Sequence, residues 1–236
     1  MLGDGSGSMD TFSTRSVKVY KTLQQEIVTG KLEPGTRLVR RELAKRFDMS
    51  PIPIIEALHK LEKDGLAESV PMYGSRVINW NIESLRSDEM LREAIECQCA
   101  RLCAINASQK ELTILNQIAE KLDKATTEEE GNLRPSAIFH YQLHFKIAEL
   151  TGCKSLVDEL EKVWLRRQMR FSMNLGEQDK IPSGWHVRLT NAIASRNPQQ
   201  AEDEMRRHVE FGQDHDQAFI DALKKDDFTA PAWLQA

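Results

Sequence analysis

None of the 236 residues forms part of an uninterrupted apolar run of the roughly 18 positions that a membrane-spanning helix requires. The first residues also lack the charged-then-apolar layout of a secretory signal. The expectation is therefore a cytoplasmic protein with no membrane partner. Cysteine is scarce, at four residues (Cys97, Cys99, Cys103 and Cys153), and no C-x-x-C spacing occurs. That argues against a zinc ribbon or a dithiol redox site, and leaves reduced residues in a core. Cys99 and Cys103, four apart, can face a core from one helix. There are no internal repeats. No Ser-His-Asp or Cys-His constellation supports a nucleophile, and the H-E-x-x-H of helix-borne zinc proteases is absent, because Tyr141 follows His140.

Charge is present but unevenly spread. Residues 15–80 carry 12 Lys/Arg against 8 Asp/Glu, a net of +4 in a chain whose formal total is −4. A basic front on an acidic body suits a nucleic-acid-binding head joined to a body with another task. Residues 1–14 read as a flexible leader and are excluded from the fold. Within 15–80, Val19, Leu23 and Ile27 make a helical stripe that Gly30 ends. Pro34-Gly35 marks a turn. Arg40–Phe47 reads as a second short helix. Ser50 stands where it can N-cap a third, with Pro51 in its first turn. That helix runs to about Asp64, and Leu66–Val77 then reads as a hairpin around Met72-Tyr73-Gly74-Ser75. Three short helices and a hairpin describe a winged helix-turn-helix, with the third helix in the major groove and the hairpin tip on the flanking backbone or minor groove.

From residue 84 to about 225 the pattern is helical throughout, over 84–106, 108–126, 132–151, 153–175, 182–196 and 198–224. Glycine and proline mark the breaks, and Ser108 with Glu111 makes a capping-box pattern. Residues 226–236 read as a tail. The fold class is mostly α: an N-terminal winged helix-turn-helix followed by a C-terminal antiparallel all-helical bundle.

Five of the six histidines fall in the last hundred residues. His140 and His144 leave one helical face a turn apart, a spacing at which two imidazoles can share a metal ion. His186 and His208 lie in two further helical patterns, so each can close such a site from another helix. His215, on an acidic face, is not expected to be a ligand.

These stretches resemble a known family. L-V-R-R-E-L-A-K-R-F-D-M-S-P-I-P-I-I-E-A-L-H-K-L-E-K-D-G-L is similar to the DNA-binding head of the GntR superfamily of bacterial transcription factors. Arg92-Glu93-Ala94-Ile95-Glu96, L-H-F-K-I-A-E-L-T-G-C and W-H-V-R-L-T-N-A-I-A-S-R-N-P-Q-Q-A-E-D-E-M-R-R-H-V resemble the FCD ligand domain of its FadR-like branch. The resemblance spans roughly 16–222. It implies a homodimeric regulator on a palindromic double-stranded operator, with a helical domain holding a divalent metal and a small carboxylate effector.

Two departures shape the expectations. The family's recognition helix usually opens S-R-x-P-V-R-E-A-L, and here Pro51 and Ile55 replace both arginines. Arginine supplies a bidentate contact to guanine that isoleucine cannot. The remaining reading groups are Arg41, Ser50, and Ile52 or Ile55 against thymine methyls. Arg40, Lys45, Lys60 and Arg76 are left for phosphates, and Gly74 permits close approach at the hairpin tip. The operator should be richer in A·T, or bound more weakly. The second departure is His140, where the family usually has aspartate. The metal set then becomes His140, His144, His186 and His208, all nitrogen, which moves preference from manganese or magnesium toward zinc or nickel. Arg92 is expected to clamp the effector's carboxylate, with Arg166 and Arg170 offering a second anionic contact. A metal-dependent hydrolase, and a metabolite-binding protein without DNA function, stand as alternatives.

Overall fold

A computed structural model describes residues 7–79, 81–128, 134–171 and 182–224. The chain forms two compact units. Of the described residues, the first comprises 7–79 and 81 with 165–171, and the second 82–128, 134–164 and 182–224.

The first unit runs α1 (Gly7–Val28), β1 (Arg37–Leu38), α2 (Arg40–Phe47), α3 (Pro51–Lys63), β2 (Ala67–Val70) and β3 (Gly74–Val77). Helix α1 reaches back to Gly7, into the stretch expected to be leader. Its stripe is the one the spacing predicts: Val19, Leu23 and Ile27 are fully buried. They meet Ile54, Ala57, Leu58 and Leu61, the inward face of α3, and Leu165 and Met169 complete this core. Helix α2 ends on Asp48 in the left-handed region (φ 49°), which aspartate tolerates better than most residues. Ser50 occupies the N-cap position of α3 with extended backbone, but its side chain makes no capping bond. The expected cap is therefore positional only, and Pro51 presets the first turn. Gly65 (φ 72°) turns the chain into the sheet.

That sheet has three antiparallel strands in the order β1-β3-β2. The hairpin register is Ala67↔Val77 to Val70↔Gly74, and β1 adds Arg37↔Arg76 on the other edge of β3. Strand β1 was not legible in the sequence, since two residues carry no period. Two hydrogen bonds anchor the sheet and α1 to the end of α3: Ser75 Oγ to Glu62 Oε1 at 2.8 Å, and Tyr20 OH to Asp64 Oδ2 at 2.6 Å. Because Leu61 sits at the centre of this core, Leu61→Ala should cost about 2–5 kcal/mol of stability. Urea unfolding followed on the first unit checks this, and a loss below about 1 kcal/mol would show that the site closes over the missing volume.

The second unit contains α4 (Ile82–Asn106), α5 (Gln109–Glu128), α6 (Arg134–Glu149), α8 (Trp185–Ala194) and α9 (Pro198–Lys224), with the first part of α7 (Lys154–Phe171). Helix α4 packs along α9, and α5 lies against α6 and α8. Ser108 and Glu111 form the reciprocal cap that the sequence predicts: the Ser108 N–H donates to Glu111 Oε2 at 2.7 Å, and the Glu111 N–H to Ser108 Oγ at 3.3 Å. Cys97, Cys99 and Cys103 are buried core residues whose thiols burial pushes up to about 12, which keeps them protonated and inert. Among the described residues no helix is long and apolar enough to cross a membrane.

Candidate metal centre

Helix α6 carries His140 and His144 one turn apart, as their spacing requires, and α9 brings His208 to meet them. The three Nε2 atoms form a triangle with edges of 2.9 Å (His140–His144), 3.2 Å (His140–His208) and 3.2 Å (His144–His208). These atoms are the one ligand-like group found among the described residues. His186, on α8, stands beside them, its ring centroid 5.2 Å from that of His140 and 5.1 Å from that of His208.

Two carboxylates that the sequence did not single out sit behind this cluster. Glu96 Oε2 lies 2.7 Å from His144 Nδ1, close enough for a charge-assisted contact, although the ring N–H is not aligned on that oxygen. Its other oxygen accepts from Trp164 Nε1 at 2.8 Å and Arg92 Nε at 3.1 Å. Asp123, on α5, accepts from His186 Nδ1 at 2.6 Å and from the backbone N–H groups of His186 and Val187, so it also caps the start of α8. A carboxylate on Nδ1 fixes the tautomer with the proton there and turns a bare Nε2 lone pair outward, the arrangement metal-ligating histidines show. Among the described residues His208 Nδ1 has no such partner.

The electrostatics favour neutral rings. Burial, with each ring's neighbours opposing further positive charge, holds His140 and His208 well below the usual imidazole value. For His144, burial again lowers the pKa against the pull of Glu96. Burial alone would raise Glu96, but His144 and Arg92 outweigh it and bring the carboxyl down to about 2. Three neutral imidazoles cannot satisfy three converging Nε2 atoms by hydrogen bonding one another, since each Nε2 is either a donor or an acceptor and at least two of the three must meet with the same role. A cation among them resolves the conflict. At the usual metal–nitrogen distance of about 2.0–2.1 Å, neighbouring ligands stand roughly 2.9 Å apart around an octahedral ion and roughly 3.3 Å apart around a tetrahedral one. The observed edges fit that range, so the residues present suit a divalent ion. Trp164 lies against His140 and His144, and Trp185 stacks on His208 at 5.7 Å, which keeps the site dry on those sides.

The expected effector groups are placed differently. Arg92 is 1 % exposed and already ion-paired to Glu89 and Glu96, each at 3.1 Å. Arg166 belongs to the first unit, with its guanidinium 3.4 Å from the Asp64 carbonyl oxygen. The side chains of Arg170 and His215 lie outside the described residues.

On the first unit, Arg40, Arg41, Lys45 and Ser50 are exposed, Ile52 is 57 % exposed, and Ile55 is half-buried. Lys60 donates to Asp64 at 3.1 Å and lies over the Tyr20 ring, and Arg76 donates to Glu68 at 2.7 Å. Both cations are thus held in place by an acid on the same unit. Gly74 is at the hairpin's edge with φ 83°.

Comparison with known proteins bears on both units. Residues 15–77 match the model of bacterial regulatory proteins of the gntR family, and residues 89–211 match the FCD domain. The HTH-type transcriptional repressor RspR of Escherichia coli K12 is 26 % identical over 195 residues, covering 82 % of this chain and 85 % of RspR. The HTH-type transcriptional regulator McbR of the same organism is 25 % identical over 162 residues, covering 69 % and 72 % of the two chains. Among solved structures, Escherichia coli McbR/YncC superposes with a TM-score of 0.68 at 19 % identity, covering 87 % of this chain and 97 % of that one. A GntR regulator from Rhodococcus sp. RHA1 gives 0.64 at 18 %, covering 87 % and 98 %. At those identities the structural likeness speaks for the fold alone.

Proposed function

The chain belongs to the GntR family of DNA-binding transcriptional regulators, with an FCD domain behind its helix-turn-helix head, and from that premise we propose that it is a metal-dependent sensor of a small carboxylate. Relatives of this kind are regulators and not enzymes. The hydrolase alternative is therefore set aside.

The observation that carries the proposal is the convergence of three Nε2 atoms within 3.2 Å of one another, backed by a carboxylate behind His144. His140, His144 and His208 would hold the ion, and His186, oriented by Asp123, would supply a fourth nitrogen. The all-imidazole set favours zinc or nickel over manganese or magnesium. Such an ion supplies a Lewis-acidic centre with positions open to a carboxylate's oxygens. Arg92 contributes charge nearby, although an effector would have to draw it from Glu89 or Glu96. The protein would act as a cytoplasmic homodimer, two heads reading the two halves of an inverted repeat. On the head, Arg41, Ser50, Ile52 and Ile55 would face bases, while Arg40, Lys45, Lys60 and Arg76 would face phosphates and Gly74 would let the hairpin approach the backbone.

The test has two stages. Purified protein selects fragments from sheared genomic DNA, and enrichment of one short inverted repeat is expected. The affinity for that repeat is then measured in chelator, with zinc or nickel, and with small dicarboxylates and hydroxy acids added. Coupling of ordinary size would shift it about 5–150-fold. No enrichment under any condition would refute DNA reading by this head. Enrichment with an affinity indifferent to metal and acid would refute the sensor.

A further inference from the structure

The hairpin tip has the wrong chemistry for a passive turn. Val70 and Gly74 pair at the end of the two strands, leaving Pro71, Met72 and Tyr73 as the loop, closed by the Tyr73 N–H on the Val70 carbonyl at 3.0 Å. Met72 takes φ 66°, a left-handed conformation in which glycine or asparagine is the unstrained choice. Strain of that kind persists where something else repays it. Among the described residues nothing does so through the side chain, because Met72 is 99 % exposed. Tyr73 beside it is 67 % exposed. Two adjacent large apolar side chains, projected from a proline turn, are not the scattered surface residues that need no explanation.

One cation stands against the tip. Arg37, on β1, donates to the Tyr73 carbonyl at 3.4 Å and sets its guanidinium 5.7 Å from that ring's centroid. Arg37 and Arg76 are paired across β1 and β3. The Ser75–Glu62 bond ties β3 to the end of the recognition helix, so the tip keeps a fixed offset from the residues that would enter the major groove. An apolar prow with the Arg37 guanidinium beside it, on a sheet bonded to the reading helix, matches the side chains that enter a minor groove and part a base step.

We propose that Met72, with Tyr73 packed beside it, is a wedge that enters the minor groove flanking each half-site, unstacks one base step and bends the operator away from the protein. The inference rests on the operator-binding reading above. The wedge also gives the head a source of specificity that the two missing arginines do not supply. Flexible pyrimidine–purine steps at the flank cost least to open, so sequence is read there through deformability.

The test uses the full-length protein and the operator recovered by selection. The duplex is labelled at its ends for energy transfer and carries 2-aminopurine at the flanking steps. Wild type should bring the ends closer and brighten 2-aminopurine as its step unstacks. Met72→Gly, which keeps the turn and removes the wedge, should bind more weakly, leave the ends apart and the probe dark, and lose no thermal stability. Met72→Leu should restore both signals. If wild-type protein binds the operator with straight DNA and a dark probe, or Met72→Gly bends it as wild type does, the wedge is refuted while the operator reading stands. Failure of wild type to bind any selected fragment refutes the operator reading, and the wedge with it.

Discussion

His144→Ala should abolish retention of one divalent ion per chain and, with it, every effect of metal on operator affinity. His144 carries the largest share of the site's organisation. It is 1 % exposed, its Nε2 forms two edges of the nitrogen triangle, and its Nδ1 faces the Glu96 carboxylate. Removing it deletes a ligand and leaves Glu96 without its imidazole neighbour. Disturbing only the group behind a ligand commonly costs about 10–100-fold in metal affinity, so loss of the ligand itself should exceed that. Glu96→Gln is the graded control. It keeps the ligand set but weakens the hold on the tautomer, and should fall within that range of about 10–100-fold. The measurement is competitive titration of zinc against a chelating dye, with circular dichroism to show that both variants are folded. Equal zinc affinity in His144→Ala and wild type would mean that the triangle is a buried polar cluster and no ion site. Heat-stable apo protein would not rescue the proposal in that case, because the affinity is read directly.

Arg92→Met should destabilise the second unit as strongly as a large cavity in its core. The guanidinium is buried, pairs with Glu89 and Glu96 at 3.1 Å each, and lies 5.4 Å from the centre of the Trp164 ring. Methionine fills similar space but takes the guanidinium away from two buried carboxylates. Removing one partner of a buried ionic cluster costs about 3–5 kcal/mol, far more than an exposed pair would. The effect has a pH signature. In wild type the Glu96 carboxyl, held at about 2, contributes stability that is fully present above its ordinary value near 4.5 and is lost as pH falls toward 2. Without Arg92 the ionised carboxylate keeps His144 and Trp164 but is less favoured, so the deficit should be greatest near neutral pH and shrink as acid protonates the carboxyl in both proteins. Urea unfolding of the chelator-treated protein at neutral and mildly acid pH measures both. A loss under about 1 kcal/mol at neutral pH, with no dependence on acid, would show that water already reaches the pair.

The sequence alone determined the apolar faces that the helices of the head bury. Val19, Leu23 and Ile27 on α1, and Ile54, Leu58 and Leu61 on α3, appear as 3.6-residue stripes and are the head's core. Ser108 and Glu111 announced the start of α5 because a capping box acts within one turn. The pairing of His140 with His144 was legible for the same reason, since four residues on a helix fix a direction. The tertiary structure alone decided which helix faces which. Glu96 meets Trp164 across 68 positions and Asp123 meets His186 across 63, and no local period encodes such partners. The same limit explains the arginines. A helix face carrying Arg92 reads as an available cation, but packing buried it between two carboxylates, while Arg166 went to the other unit. It also explains β1, two residues long, whose strand character comes entirely from β3 beside it. Periodicity records burial one element at a time. The site arises where several buried faces close on one another, and only the packed chain specifies that.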